Sequence, residues 1–370
     1  MIRLVLAIRS LDIGGAERQF IELVKGIDKT KFEVTVCTMY GGVQESIVRE
    51  IPGITYYNLG KKGRYDIFGF YRKYRGLLNE IRPDVIYSFM GEMNLFSLWC
   101  KSKQTRLIWG FRASDMDLSK YGKMAQLLFW LQKKSSCRVD GIIANSRSSV
   151  AFHETNGFCM ERAVVIPNGI DIERFRRDMG KREAFRKRYD LRENDIAIGI
   201  VARLDPMKGY PVLARAAKAL LERYENVKFF AAGDGDPSIK NECETILGEI
   251  NGSRFVWLGR RENMEEIYNG LDIAISASLF GEGFSNSVAE AMSCGIPCVV
   301  TDVGDSAFIV GDTGFVVPSN DVAALYEGLE QMLRRDLDQF GKWARARIET
   351  NFSTVKMVQE TERKIYEVIE

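Results

Sequence analysis

Residues 273–301 read Ile273-Ala-Ile-Ser276, then Ala-Ser-Leu-Phe280-Gly-Glu282-Gly-Phe284-Ser285, then Asn-Ser-Val-Ala-Glu290-Ala-Met-Ser-Cys-Gly-Ile-Pro, and finally Cys298-Val-Val-Thr301. The first and last segments are short apolar runs bounded by turn residues, which is the pattern of buried strands. The middle opens on a glycine-flanked loop and continues as a helix that begins near Ser285. A strand, a loop, a helix and a second strand in this span form a parallel crossover unit. Chains built from such units form an α/β sheet with helices on both faces.

The same alternation extends outward from this unit in both directions. Upstream, strands are expected at Ile196–Val201, Lys228–Ala232 and Arg254–Leu258, with helices between them. An earlier series runs through Leu4–Ile8, Glu33–Thr38, Ile54–Tyr57, Val85–Ser88, Arg106–Trp109, Gly141–Ala144 and Val164–Ile166. Between Asp66 and Ile81 the apolar residues Ile67, Phe70, Tyr71, Tyr74, Leu77, Leu78 and Ile81 recur at helical spacing. A charged, strand-free stretch, Asp171–Asp195, separates the two series and reads as a linker plus the first helix of a second domain. The chain therefore divides into two doubly wound, Rossmann-like domains, 1–170 and 171–352. The amphipathic tail Ser353–Ile369 lies beyond the last expected strand. In such folds the carboxyl ends of the strands, facing a cleft, are the usual ligand position.

Length and composition agree. At roughly 100–200 residues per domain, 370 residues suggest two domains. With 46% hydrophobic and 28% charged residues the chain is neither disordered nor collagenous. The net charge of +2 implies no global electrostatic partner, and no nucleic acid is expected. The charge is unevenly divided, however. Residues 1–170 carry 25 Lys and Arg against 16 Asp and Glu, and the remainder 27 against 34. The basic half would favour an anionic surface or substrate. Seven cysteines, odd in number and unevenly spaced, do not read as a disulfide framework. Cys37, Cys294 and Cys298 sit in apolar or small-residue runs, as buried thiols do. With a single histidine and no Cys-x-x-Cys, a structural zinc site is not expected. No run approaches the ~18 apolar residues of a membrane span, so a cytoplasmic protein is expected.

Three loops carry candidate chemistry. Gly14 and Gly15 follow the first strand and open a helix, where bare backbone amides can meet an anion. Arg203 and Lys208 flank a Pro/Gly turn at the tip of the strand Ile196–Val201, placed as a two-cation clamp for a diphosphate. The amides of Gly283, Phe284 and Ser285 present the positive end of a helix dipole. Glu282 at the loop lip and Glu290 inside the helix can accept hydroxyl groups on either side of that diphosphate.

With Pro167-Asn168-Gly169-Ile170-Asp171 at the domain junction, these motifs stand in an order that resembles family 4 retaining glycosyltransferases of GT-B fold. The resemblance runs from Gly14 to about Pro318. It implies that the last helix, within 353–370, packs back on the N-terminal, acceptor-binding domain, and that the C-terminal domain binds a nucleoside-diphosphate sugar. The sugar nucleotide is then a co-substrate and the reaction needs no metal and no cofactor. Arg203 and Lys208 would hold the diphosphate and stabilise the leaving group. Glu282 would bind the donor sugar and Glu290 the ribose, and Gly259 and Arg261 would line the base pocket. Gly14 and Gly15 would close over the phosphates. UDP is the expected nucleotide and a lipid-linked oligosaccharide precursor of a bacterial surface polysaccharide the expected acceptor.

One departure stands out. Where many relatives have a histidine near the end of the Arg106–Trp109 strand, this chain has Trp109-Gly110-Phe111-Arg112-Ala113-Ser114-Asp115. Arg112 and Asp115 are the replacement candidates for acceptor or donor contacts, and both are read as acceptor-binding. His153 reads as a solvated helix residue and is left out of the site. Gly233-Asp234-Gly235-Asp236 after a strand, and Asp115-Met116-Asp117, imitate the Asp-x-Asp metal site of another glycosyltransferase fold. The first of these also reads as a plain strand-to-helix turn. Lys61-Lys62-Gly63-Arg64-Tyr65, Arg72-Lys73, Arg75, and Lys133-Lys134 after the apolar Met124–Leu131 would suit the anionic cytoplasmic face of an inner membrane. Two other activities fit less well: a sugar-nucleotide epimerase, which needs paired acid and base groups, and a non-catalytic sugar-nucleotide-binding subunit.

Overall fold

The computed structural model describes residues 1–112 and 122–370. The chain divides into two units: Met1–Gly169 with Thr354–Glu370, and Ile170–Ser353. In the first unit the strands are β1 (Ile2–Ile8), β2 (Phe32–Thr38), β3 (Ile54–Asn58), β4 (Val85–Phe89), β5 (Arg106–Phe111), β6 (Gly141–Ala144) and β7 (Ala163–Val165). In the second they are β8 (Ile196–Val201), β9 (Val227–Ala232), β10 (Phe255–Gly259), β11 (Ile273–Ser276), β12 (Cys298–Thr301) and β13 (Phe315–Val317).

Each unit is built on one parallel sheet. The orders are β3-β2-β1-β4-β5-β6-β7 and β10-β9-β8-β11-β12-β13. Both reverse direction beside their first strand, between β1 and β4 and between β8 and β11, and such reversals open a crevice at the carboxyl ends of the strands. Alternating side chains feed a core on each face. In β1, Leu4, Leu6 and Ile8 join one cluster and Val5 and Ala7 the other. In β8, Ile198 and Ile200 face one cluster and Ala197 the opposite one. Full burial of one such aliphatic side chain contributes about 1.5–3 kcal/mol. Each unit thus carries its own two-sided core.

The expected strands form within a residue or two of their expected limits. β13 was not among the expected strands, although the equally short β7 was. Helix Met179–Arg188 occupies the charged stretch between the two strand series.

The tail helix Thr354–Ile369 belongs to the first unit and buries Met357, Val358, Ile365 and Val368 there. Two glycines admit it. A Cβ on Gly26 would stand 2.6 Å from Val358 Cγ2, and one on Gly169 would stand 2.6 Å from Thr354 Cα. Gln19 holds the same junction by donating to the Gly169 carbonyl at 2.9 Å and accepting from its amide at 2.8 Å.

One expectation about the cysteines needs correcting. Cys137 and Cys159 are joined by a disulfide with their Cα atoms 5.1 Å apart. Sequence spacing cannot reveal this pair, since the fold brings together the end of one helix and the loop before β7. The other five thiols are buried, and burial pushes the Cys37 and Cys294 thiols up to about 12.

Candidate active site

The candidate groups of the second unit gather at the carboxyl ends of β8, β9, β10 and β11. Beyond β8 the Ala202 amide donates to the Ala232 carbonyl at 3.0 Å, and the Tyr210 hydroxyl donates to the Ala202 carbonyl at 2.7 Å. The Asp205 carboxylate then accepts from the Met207 amide at 3.1 Å and caps a single turn, Pro206–Lys208. Gly209 follows with φ 62°, and a Cβ on it would fall 2.0 Å from the Ala277 carbonyl oxygen. Only glycine allows both the left-handed conformation and that approach. The Leu279 amide donates to the Met207 carbonyl at 2.7 Å and completes the contact between the β8 and β11 loops.

This packing places Lys208 beside Glu282, and the two form an ion pair with both side chains largely buried. The Ser278 hydroxyl donates to the same Glu282 oxygen at 2.8 Å, and the Thr301 hydroxyl at the end of β12 donates to the Ser278 carbonyl at 2.6 Å. Gly304 (φ 61°) seats the next loop, since a Cβ there would lie 2.2 Å from the Glu282 carbonyl oxygen. Glu282 is therefore fixed from three strand ends. The expectation of Arg203 and Lys208 as a matched clamp is modified accordingly. The Lys208 ammonium is engaged with Glu282, whereas the Arg203 guanidinium is exposed and stands 3.5 Å from the Asp205 carboxylate.

Glu290 lies on helix Asn286–Ser293 and is 4% exposed. The hydroxyl of the buried Tyr268 donates to Glu290 Oε2 at 2.9 Å. Phe284 turns its ring into the core against Phe352, and the Gly283 carbonyl accepts from the Asp305 amide at 3.0 Å. Gly259 (φ 66°) ends β10 and accepts from the Gly233 amide at 3.0 Å, with Arg261 exposed in the next loop. Tyr268, Ser278 and Thr301 are the residues that sequence reading missed. Each reads locally as core or strand-end filler, and only the fold sets it beside a carboxylate.

The Asp-x-Asp imitation is a turn. Asp234 accepts from the Gly235 amide at 2.9 Å, and Asp236 caps the next helix through the Ser238 amide at 2.8 Å and hydroxyl at 2.7 Å. Those hydrogen bonds hold the Asp236 carboxyl below its usual range. A Cβ on Gly233 would fall 1.8 Å from the Ala202 carbonyl oxygen, so this turn braces the β8 loop. Among the described residues no group of three or more His, Cys, Asp or Glu side chains is disposed to hold a metal.

The remaining candidates are in the first unit. Gly14 is extended and Gly15 opens helix Gly15–Gly26. Glu17 folds back so closely that a Cβ on Gly14 would lie 2.1 Å from its Oε2, and burial pushes the Glu17 carboxyl up. Arg112 ends just beyond β5, half-buried. It donates to Tyr87 at 2.9 Å and to Asn168 at 3.1 Å and lies over the Phe89 ring, while its Nε is buried without a partner. Asp115 and the Asp115–Asp117 imitation lie outside the described residues. His153 is buried, not solvated. It stacks on Phe111 with centroids 4.1 Å apart, and its Nδ1 is 2.7 Å from the Ser149 carbonyl. Lys61 also departs from the expected basic surface. Its ammonium is buried, donating to the Gly63 and Arg64 carbonyls and lying 3.4 Å from Glu92.

Two family models match the chain in succession. The Glycosyltransferase Family 4 model covers residues 13–174 and the Glycosyl transferases group 1 model residues 195–335. A UDP-Gal:alpha-D-GlcNAc-diphosphoundecaprenol alpha-1,3-galactosyltransferase of Escherichia coli is 29% identical over 52% of the chain, a match that spans about half (51%) of that relative's length. An N-acetylgalactosamine-N,N'-diacetylbacillosaminyl-diphospho-undecaprenol 4-alpha-N-acetylgalactosaminyltransferase of Campylobacter jejuni is 26% identical over 91% of both chains. The crystal structure of Anabaena HepE in complex with UDP superimposes with a TM-score of 0.83 at 20% identity, covering 99% of this chain and 100% of that one. With the family 4 model over its first sheet, the group 1 model over its second and a GT-B frame throughout, the chain belongs to the family 4 glycosyltransferases.

Proposed function

We propose that the protein transfers a hexosyl or N-acetylhexosaminyl unit from a UDP-sugar to a saccharide carried on a lipid diphosphate, with retention of anomeric configuration. The reading rests on one observation above all: Lys208 and Glu282 are held together at the reversal between β8 and β11, with Ser278 on the same carboxylate. An ammonium has three N–H donors, so Lys208 can keep Glu282 and still donate to a phosphate oxygen. Arg203, exposed on the same loop, supplies the second cation. Together they offset the charge that develops on the departing diphosphate, with no metal required for that task. A carboxylate has about four lone-pair sites, so Glu282, fixed at the loop lip, suits a sugar hydroxyl. Glu290, oriented by Tyr268, suits the ribose.

The acceptor follows from the relatives, two of which are named for diphosphoundecaprenol-linked saccharides. No described helix is long and apolar enough to cross a membrane. Exposed Phe68, Leu127 and Trp130 lie on the same helices as Arg72, Arg75, Lys123 and Lys134, a mixture that suits peripheral contact with an anionic bilayer, which we place on the cytoplasmic face. An epimerase would need an acid and base pair at the sugar carbon, and the single histidine is buried against Phe111.

The test is UDP release from a panel of UDP-sugars with a polyprenyl-diphosphate-linked saccharide, with and without EDTA, and product stereochemistry by NMR. Release that survives EDTA, with an α-linked product from an α-linked donor, is expected. Lys208→Ala and Glu290→Ala should each lower kcat/KM by about 10²–10³-fold while the fold persists. Wild-type activity in both variants would remove the proposed site, and loss of activity in EDTA would overturn metal independence.

A further inference from the structure

The first unit contains a cavity of about 900 Å³ that none of the donor chemistry uses. Its walls are largely apolar: Phe96 and Trp99 from helix Gly91–Cys100, Leu127, Leu128 and Leu131 from helix Lys123–Ser135, and Ile67 from the start of helix Ile67–Ile81. One pair of helices meets closely at Gly91, where a Cβ would stand 2.4 Å from the Gln132 side-chain nitrogen. Among the described residues the charged lining is Arg9, Arg64 and Arg112 against one carboxylate, Glu92, which is already shared by Arg9 and Lys61 at 3.4 Å each. Of the lining residues, Tyr65 is 82% exposed and Leu127 48% exposed, so the cavity is open at an aromatic and aliphatic rim.

An apolar chamber with a cationic lining fits an amphiphile that has an anionic head and a hydrocarbon chain. A sugar hydroxyl array would leave the six apolar walls unused, and a peptide would leave the excess arginine charge unmatched. The Arg112 guanidinium sharpens the choice. Its Nε is buried without a partner while its other nitrogens are held by Tyr87 and Asn168. We propose that this cavity seats the acceptor lipid itself: the first prenyl units lie between the helices that carry Trp99 and Leu128, and the adjoining diphosphate meets Arg9, Arg64 and Arg112. The proposal rests on the lipid-linked acceptor reading above and adds to it a named site and a chain-length requirement.

Farnesyl diphosphate, geranyl diphosphate and inorganic pyrophosphate serve as probes, with binding read by calorimetry on the full chain. Each fully buried methylene multiplies affinity by about fourfold, so burying even two carbons of the extra prenyl unit exceeds about tenfold. Farnesyl diphosphate should therefore bind at least tenfold more tightly than geranyl diphosphate, and both more tightly than pyrophosphate. Leu128→Asp should erase the chain-length dependence while leaving UDP binding unchanged. Leu131→Trp, which fills the cavity without charging it, should do the same. Equal affinity for the three probes, or chain-length dependence that survives both variants, would overturn the proposal. So would binding to anionic vesicles with no binding of monomeric farnesyl diphosphate, because a surface rather than a seat would then be at work. The two readings fail separately. Transfer to an octyl-linked saccharide with the same KM as a prenyl-linked one would remove the seat and leave the transferase. Prenyl binding without transfer from any UDP-sugar would remove the transferase and leave the seat.

Discussion

At the level of single side chains, burial decides what a titratable group can do. His153 is the only histidine and is enclosed by Phe111, Phe129, Phe152 and Phe158. Loss of solvent lowers its pKa, and the bond to the Ser149 carbonyl only partly offsets this. The sign of the consequence is fixed. Below the ordinary histidine value of about 6.5 the unfolded chain takes up a proton that the folded ring resists. Stability should therefore fall as pH is lowered from 7 through 6.5, by no more than about 1.4 kcal/mol per pH unit, until the folded ring also protonates. Glu17 acts in the opposite sense, because a carboxyl raised by burial favours the folded state as pH falls. Denaturant titrations of wild type and His153→Phe at pH 7 and pH 5 separate the two. The variant should lose less stability over that interval than the wild type, and equal losses would show that the folded ring takes up its proton as readily as the unfolded one. Gly-Phe-Arg at 110–112 promised an acceptor group, whereas the enclosure of His153 was hidden: Phe152 and Phe158 are its neighbours in sequence, but Phe111 and Phe129 reach it only through the fold.

At the level of elements, the site depends on loops touching as much as on the strands behind them. Gly209 shows why. Its φ of 62° and the 2.0 Å approach of a Cβ to the Ala277 carbonyl make it the hinge pin between the β8 and β11 loops. Gly209→Ala imposes backbone strain of about 1–3 kcal/mol plus a clash that the Ala277 backbone cannot relieve by rotating a side chain. The loop would have to withdraw, and Lys208 with it. The expected outcome is a destabilised second unit and a rise in the UDP dissociation constant, measured by thermal melting and calorimetry. Native stability together with native UDP affinity would show that the loops tolerate separation and that Lys208 is positioned by other means. The strands themselves were legible, because each is an apolar run between turn residues. Glu282, Glu290, Arg203 and Lys208 were legible as a pattern. What was hidden is the pairing of Lys208 with Glu282 across 74 positions, since an ion pair of that separation is a product of the sheet order and has no local signature.

At the level of the whole molecule, the uneven charge and the doubled strand pattern correspond to two units with separate cores. The first carries the cavity and its arginines, and the second carries Lys208, Glu282 and Glu290. Separate cores allow each unit to report its own ligand. UDP at 100 times its dissociation constant adds about 2.7 kcal/mol to whatever unfolds with its site. That increment should fall mostly on the second unit, and Lys208→Ala should reduce it. Farnesyl diphosphate should raise the first unit instead, and Leu128→Asp should reduce that shift. Hydrogen exchange read by segment assigns each shift to its unit: UDP protection at residues 196–290 and farnesyl protection at residues 91–135. If UDP protects residues 12–26 as strongly as residues 196–290, then Gly14 and Gly15 share the donor equally with the second unit. If each ligand protects both units alike, the division of labour between them is wrong even though the division of the cores is not.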